Sequence, residues 1–233
     1  MSAEYIEGIN SLLKKVLKEE EIEILPGLGE VLKPGDLITI GVDPGIDKFL
    51  VALNVSESFV MDGKRCLVFL EAPTFEKAFA KKFAEIHKDA KNPSLRSLDK
   101  ETLEALKYLR IYNDWVYLPE IEETLEVEEA KGIPAELLII DFDDFSEKNS
   151  DTIERIKELT GKVPIILLTK LSRFHHFSYT LNHVLASRVV LKVLRNEEGI
   201  TLSLEQTKDV KAREINGEMR ESGKIVLSST ERG

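Results

Sequence analysis

Residues 37 to 49 read Leu-Ile-Thr-Ile-Gly-Val-Asp-Pro-Gly-Ile-Asp-Lys-Phe. The first six residues form a short apolar run that is typical of a strand buried on both faces. Asp-Pro-Gly then predicts a turn, and the residues from Lys48 onward predict a helix. A buried strand, a tight turn and a helix in this order favour an α/β domain built on a mostly parallel sheet.

The turn also has the spacing of a phosphate-binding loop, G-x-x-x-x-G-K-[ST]. Gly45 and Lys48 fit this pattern, but Val42 and Asp47 stand where the two glycines belong, and Phe49 stands in place of the hydroxyl residue. A carboxylate about 4 Å from a phosphate charge costs roughly 4 kcal/mol at an effective dielectric constant of about 20. We therefore interpret Gly45, Asp47 and Lys48 as a vestigial phosphate loop.

Two other interpretations of this loop stay open. Lys48 and the free N–H groups at the start of the helix could still bind a nucleotide weakly. Alternatively, Asp-Pro-Gly is an ordinary strand-to-helix turn, and Asp47 is a carboxylate that favours the first turn of the helix.

The composition suits one α/β domain of 233 residues, with 42% apolar and 32% charged side chains. The bias toward Lys and Glu is the one expected of a thermophilic protein. The single cysteine, Cys66, and the lack of a long apolar run or a secretory signal predict a cytoplasmic protein with no membrane partner. A net charge of −10 disfavours nucleic acid as a general partner.

The pattern along the chain predicts three segments. Residues 1–23 form an amphipathic helix, residues 24–227 form the α/β domain, and residues 228–233 form a flexible tail. Apolar runs predict strands at 37–42, 66–70, 115–118, 137–140 and 165–168, and the stretches between them predict helices near 48–57, 74–88, 99–109, 120–130 and 149–160. Two further runs, 189–194 and 200–206, predict an antiparallel hairpin joined at Asn196–Gly199, and 224–227 is a further strand candidate.

Polar residues follow several of these strands. Glu71 ends the second strand, Asp141 follows Leu-Leu-Ile-Ile, and Thr169 and Lys170 end the strand at 165–168. The carboxyl ends of parallel strands are where open α/β sheets bind ligands. If the protein is an ATPase, Glu71 is the candidate for positioning water and Asp141 the candidate magnesium-linked carboxylate.

With this order of motifs the chain resembles the RecA-like superfamily, and more closely its KaiC-like branch. It also resembles a small family of hyperthermophilic archaeal proteins with a defective phosphate loop. The resemblance covers roughly residues 24–227 and includes Pro34-Gly35-Asp36, the loop from Asp43 to Lys48, Glu71, the segment ending at Asp141 and the closing hairpin. It implies a RecA-type core and assembly into rings or filaments.

The acidic residues near this edge allow two hypotheses. A carboxylate cluster could bind a divalent ion through oxygen, with candidate members Asp43, Asp47, Glu71, Asp141, Asp143 and Asp144. We prefer a buried ion pair of Lys48 with Asp47 or Asp141, which would take the place of a phosphate. A zinc site is disfavoured, since the chain has only four histidines and His175 and His176 are adjacent.

Residues 170–179 interleave cations and aromatic rings, a combination that can contact nucleic acid. The candidate phosphate contacts are Lys170, Arg173, Arg188 and Lys192. The alternative is a helix that packs its apolar side chains inward, namely Phe174, Phe177, Leu181, Val184 and Leu185.

Taken together, these features predict a non-catalytic RecA/KaiC-like binding or scaffold protein that needs no cofactor or metal and acts through contacts with a protein partner or with itself. The first alternative is a divergent ATP-binding protein or weak ATPase that uses ATP with magnesium. The second is a regulator associated with nucleic acid.

Overall fold

The computed structural model describes residues 22–70, 76–91, 98–112, 117–144, 150–177 and 182–228. Apart from residues 22, 23 and 228, the predicted N-terminal helix and C-terminal tail lie outside this part of the chain, and so does Glu71. The described helices are α1 Lys48–Met61, α2 Glu76–Lys88, α3 Lys100–Ala105, α4 Leu118–Ala130, α5 Ser150–Thr160 and α6 Asn182–Ala186.

The described strands belong to one sheet with the order β3-β2-β4-β5-β1-β6-β7-β8-β9. The first six in this order are parallel, and β7, β8 and β9 continue the sheet as antiparallel strands. The strands are β1 Leu37–Val42, β2 Cys66–Phe69, β3 Leu109–Tyr112, β4 Leu137–Asp141, β5 Ile165–Lys170, β6 Val189–Arg195, β7 Ile200–Leu204, β8 Arg213–Met219 and β9 Ile225–Leu227.

Helices cover both faces of the parallel part of the sheet. On one face α1, α2 and α3 pack on Ile38, Ile40 and Ile139, and on the other α4 and α5 pack on Leu138, Ile140 and Leu167. Because β1, β2 and β4 are buried on both faces, their sequences are continuous apolar runs. The predicted fold class, a mostly parallel sheet flanked by helices with an antiparallel extension, is confirmed.

The predicted pattern is wrong between β2 and α4. A strand was expected at 115–118, of which residues 115 and 116 lie outside the described residues, while Tyr117 caps α4 and Leu118 begins it. A strand lies at 109–112 instead, at the end of a stretch predicted to be helical. β3 is the edge strand, so its sequence Leu-Arg-Ile-Tyr mixes buried and partly exposed residues and lacks the apolar run of a central strand. β8, in the region left unassigned, is mostly exposed, with Ile215 as its buried residue.

The sequence predicts no membrane partner, and the helices of the structure can be compared with this expectation. Among the residues that the structure describes, no helix combines the length and the apolar character that crossing a bilayer requires.

Candidate functional site

The candidate site lies where β4, β5 and β1 end side by side. Val42 of β1 is in register with Lys170 of β5, and Asp141 of β4 is in register with Leu168. Parallel pairing therefore brings the residues after all three strands to one edge of the sheet. The first turn of α1, which contains Lys48, begins at this same edge.

Lys48 is bound by two carboxylates of its own chain. Its ammonium group donates to Asp141 and, at 2.9 Å, to Oδ2 of Asp143. Lys48 is 9% exposed and Asp141 only 2%. The predicted ion pair with Asp141 is present, and Asp143 is a second partner that the sequence placed in the acidic cluster without assigning it this contact.

The surroundings of Lys48 set the protonation state of the side chain. Burial on its own lowers the pKa of the ammonium group, because it disfavours the charged form. The charges and hydrogen bonds of Asp141 and Asp143 act in the opposite direction and outweigh burial, so that the pKa of Lys48 is raised. Lys48 is therefore charged at neutral pH.

Asp143 links the strand ends to one another. It lies in a 3-10 turn, Phe142–Asp144, directly after β4, and its backbone N–H donates to Oδ1 of Asp141 at 3.0 Å. Its carboxylate accepts hydrogen bonds from Oγ1 of Thr169 at 2.7 Å and from the backbone N–H of Lys170 at 2.6 Å. Together with its ion pair to Lys48, these hydrogen bonds join Asp143 to β4, β5 and α1.

Asp47 has a different partner from the one considered in the sequence. It is the N-cap of α1, and its Oδ1 accepts from the backbone N–H of Phe49 at 2.9 Å. One N–H that could otherwise meet a phosphate is thereby satisfied by a carboxylate. In the same loop Oδ1 of Asp43 accepts from the N–H of Gly45 at 2.8 Å.

A cavity of about 380 Å³ opens beside this loop. The residues around it do not fit magnesium and a triphosphate. Phe49, at the hydroxyl position, is buried with its ring 6.3 Å from the ring of Phe79, and Lys48 already has two anionic partners. Over the described ranges, no group of three or more acidic, histidine or cysteine side chains is placed to hold a metal ion. The lining residues are Pro44, Gly45, Ile46, Asp47, Lys48, Phe49, Asp141 and Lys170.

Two residues of the predicted site cannot be placed. Glu71, the candidate for positioning water, lies outside the described residues, and so does the side chain of Asp144. The roles considered for them stay predictions.

Of the four candidate phosphate contacts, Arg188 lies apart from Lys170. Lys170 ends β5, whereas the backbone N–H of Arg188 donates to the carbonyl of Leu37, at the start of β1. Leu37 is in register with Ile165, five residues before Lys170, so Arg188 and Lys170 lie about 17 Å apart along the strand direction. Arg188 also pairs with Asp36, and Lys192 pairs with Glu205 at 2.6 Å.

Arg173, the fourth candidate, belongs to a tight turn and not to the helix considered in the sequence. Phe174 in this turn is 83% exposed, and Leu185 of the five-residue helix α6 is 80% exposed, so the prediction that these side chains pack inward is wrong. The turn approaches the phosphate-loop position, since Nε2 of His175 lies 3.3 Å from Oδ2 of Asp43. Nothing in the sequence predicted this contact between His175 and Asp43.

The strand order, the helix after β1 and the acidic end of β4 define a RecA-like fold. One solved structure, described as an ATPase domain, matches with a TM-score of 0.68 and 10% identity, over 97% of this chain and 99% of that one. A structure of a DnaB-like replicative helicase and its interactions with primase matches with a TM-score of 0.65 and 11% identity, over 94% of this chain and 66% of that one. At these identities the likeness shows the fold alone, and the expected RecA-type core is confirmed as a fold.

Neither a scan against protein-family models nor a search of curated proteins found a match to this chain.

Proposed function

We propose that this chain is a RecA-like protein that does not turn over nucleotide and that acts by binding a protein partner or a second copy of itself. The observation that carries the proposal is the state of Lys48, whose ammonium group is bound by Asp141 and Asp143. A nucleotide phosphate would have to displace two carboxylates that are part of the fold.

Electrostatics supports the same conclusion. Asp43, Asp47, Asp141 and Asp143 surround the loop, so a triphosphate would approach several like charges at short range. Each such pair about 4 Å apart costs roughly 4 kcal/mol at an effective dielectric constant of about 20, or about a thousandfold in affinity. Lys48 does not offset this repulsion, because Asp141 and Asp143 already neutralise its charge.

The proposal also includes the type of loop, the branch of the superfamily, the source of the protein and its place in the cell. The loop is a degenerate form of the Walker A motif, the chain belongs to the KaiC-like branch, and its source is a hyperthermophilic archaeon in which it is cytoplasmic. A melting temperature above about 90 °C would be expected of such a protein. One structural neighbour is described as a helicase with its interactions with primase. We carry over from it only the idea that a RecA-like surface binds another protein.

Calorimetric titration with ATP and magnesium tests the proposal. We expect no heat of binding at ATP concentrations up to about 1 mM, a limit that corresponds to about −4 kcal/mol. Asp47→Asn keeps an oxygen that can cap α1 and removes one negative charge, so it is the variant in which binding should first emerge. Micromolar binding by the unaltered protein, lost in Lys48→Ala and kept in the control Lys107→Ala, would overturn the proposal.

The second candidate, a divergent ATP-binding protein or weak ATPase, is favoured by one observation. The cavity of about 380 Å³ leaves room beside the loop, and Lys170 lines it together with Lys48. The same titration distinguishes the two functions. The separation of Lys170 from Arg188 gives no support to the nucleic-acid alternative.

A further inference from the structure

Three hydrogen-bond donors at the carboxyl end of the sheet converge on the carboxylate of Asp143. Nζ of Lys48 lies 2.9 Å from its Oδ2, and the backbone N–H of Lys170 donates to the same oxygen at 2.6 Å. Oγ1 of Thr169 donates to the other oxygen, Oδ1, at 2.7 Å. An ammonium group, a hydroxyl and a backbone N–H that meet at the distances of charge-assisted hydrogen bonds form a site for an oxyanion.

Two of these three donors belong to β5 and are held by the sheet. β4 ends opposite Leu168, two residues before Lys170, so the N–H of Lys170 lies beyond the β4 ladder and needs an acceptor that is not a strand. The next N–H along the chain, that of Leu171, donates to β1 on the opposite side. Thr169 is 1% exposed. The site is therefore a feature of the sheet edge, and Asp143 fills it.

Asp143 reaches these donors from a short turn, on the side of the site that faces solvent. It lies in the 3-10 turn Phe142–Asp144, and 12% of its side chain is exposed. The cavity of about 380 Å³ beside the phosphate-loop position is lined by Lys48 and Lys170, which both belong to the donor set. An anion from solvent would therefore have a route to the donors if the carboxylate of Asp143 were absent.

The charges in contact with one another determine which anion fits the site. Lys48 carries one positive charge, and Asp141 and Asp143 each carry one negative charge. A small carboxylate with a single charge, bound in place of the Asp143 side chain, would leave the sum of these charges unchanged. A phosphate dianion or a triphosphate would instead add negative charge beside Asp141, which costs free energy at short range.

We propose that Asp143 is an internal ligand of an oxyanion-binding site formed by the ammonium group of Lys48, the hydroxyl of Thr169 and the backbone N–H of Lys170. The contact is autoinhibitory, because a carboxylate tethered to the same chain has a high effective concentration that free anions do not match. Once the Asp143 side chain is removed, the site binds a small monovalent carboxylate such as formate. The inference rests on the proposed function, since it names what closes the phosphate-loop position.

The test is the rescue of Asp143→Ala by formate. Urea denaturation of the variant and of the unaltered protein is measured in sodium formate and in sodium chloride at equal concentration. For a dissociation constant of about 10 mM, formate at about 100 mM should raise the folding equilibrium constant of Asp143→Ala about tenfold relative to chloride. The unaltered protein should respond equally to the two salts, because Asp143 already fills the site.

Asp99→Ala is the matched control. The carboxylate of Asp99 accepts from the hydroxyl and the backbone N–H of Thr102 and pairs with Lys88 at 2.8 Å, so it has the same three kinds of donor. Its side chain is 49% exposed, however, and water competes for donors at the surface. Formate should therefore change the folding equilibrium constant of Asp99→Ala by less than about twofold relative to chloride.

Two further variants locate the rescue at the proposed site. Asp143→Asn fills the same space and keeps an oxygen that can accept from Thr169 and Lys170, so formate should not stabilise it. Asp143→Ala combined with Thr169→Val lacks one of the three donors, and it should bind formate about fivefold more weakly than Asp143→Ala alone. A purely structural role of Asp143 would give neither result, since it would not depend on an added anion.

Three outcomes overturn the inference: formate and chloride act equally on Asp143→Ala, formate rescues Asp99→Ala to the same extent, or Asp143→Ala stays unfolded in both salts. If the variant is unfolded in chloride and folds in formate, the inference is supported. Failure of the proposed function is distinguishable, because micromolar ATP binding by the unaltered protein together with formate rescue would remove the inert loop and leave the oxyanion site. Neither ATP binding nor rescue would do the reverse.

Discussion

The ammonium group of Lys48 and the carboxylate of Asp141 form a buried ion pair although 93 residues separate them. One side chain comes from the first turn of α1 and the other from the last residue of β4. A buried ion that loses its partner costs several kcal/mol, because its hydration has already been removed. The pair therefore fixes α1 on the end of the sheet in the absence of any ligand.

Lys48→Met should lower the free energy of unfolding by about 3–5 kcal/mol, since it leaves Asp141 buried without its cation. The measurement is urea denaturation followed by circular dichroism. Lys48→Met combined with Asp141→Asn removes the stranded charge and should recover at least half of the loss. A single variant as stable as the unaltered protein would show that the pair contributes nothing to the fold.

The same ion pair predicts how stability changes in alkali. The pKa of Lys48 is raised above its ordinary value of 10.5, so the folded state holds this proton more tightly than the unfolded state. The contribution is therefore complete below pH 10.5 and is lost as the pH rises through the folded pKa. The stability difference between the unaltered protein and Lys48→Met should be constant from about pH 7 to 10 and should shrink above pH 10.5. Urea denaturation of both proteins is measured at each pH, so that the contributions of the other titrating groups cancel in the stability difference. A difference that grows above pH 10.5 would contradict the raised pKa of Lys48.

The sequence predicted correctly those strands that are buried on both faces of the sheet. β1, β4 and β5 are apolar runs because both of their faces are covered, and the hairpin of β6 and β7 is marked by Asn196–Gly199. β3 and β8 gave no such signal. β3 lies at the edge of the sheet and has a charged residue, Arg110, between its apolar ones, and β8 is largely exposed and polar at most positions.

For the site, the meeting of strand ends at one edge of the sheet was enough to predict a buried ion pair of Lys48, with Asp141 as one of two candidate partners. The contact of Asp143 was not predictable, because it depends on a 3-10 turn after β4 that turns the carboxylate back toward Thr169 and α1. The exposure of Phe174 was missed for a similar reason. Helical spacing in residues 174–185 suggested a buried face, whereas hydrogen bonds to Ser172 form a turn instead.

The two arginines among the candidate phosphate contacts should respond differently to substitution. Arg188 donates to both carboxylate oxygens of Asp36 at 2.6 Å and to the carbonyl of Val31, and Asp36 is buried. Arg188→Met should cost about 3–5 kcal/mol in urea denaturation because the buried carboxylate of Asp36 loses its cation. Arg173→Met, on the exposed turn, should stay within about 0.5 kcal/mol of the unaltered protein. Equal effects would mean that Arg188 is a surface cation after all.

Gly41 of β1 allows the turn at 171–177 to pack against the sheet. A Cβ atom at this position would lie 2.5 Å from Cδ2 of Leu171 and 2.7 Å from Cε1 of Phe177, closer than packed carbon atoms approach. Gly41→Ala should therefore destabilise the protein by about 1–3 kcal/mol and displace the turn.

Gly45→Ala is the matched control for this substitution. Its Cβ atom would lie 3.3 Å from Oδ1 of Asp43 and 3.6 Å from Cδ of Arg195, and these are side-chain atoms at the open edge of the sheet. We expect a smaller loss of stability than for Gly41→Ala, measured by urea denaturation of both variants. Equal destabilisation by the two alanines would mean that the turn does not depend on the space above Gly41.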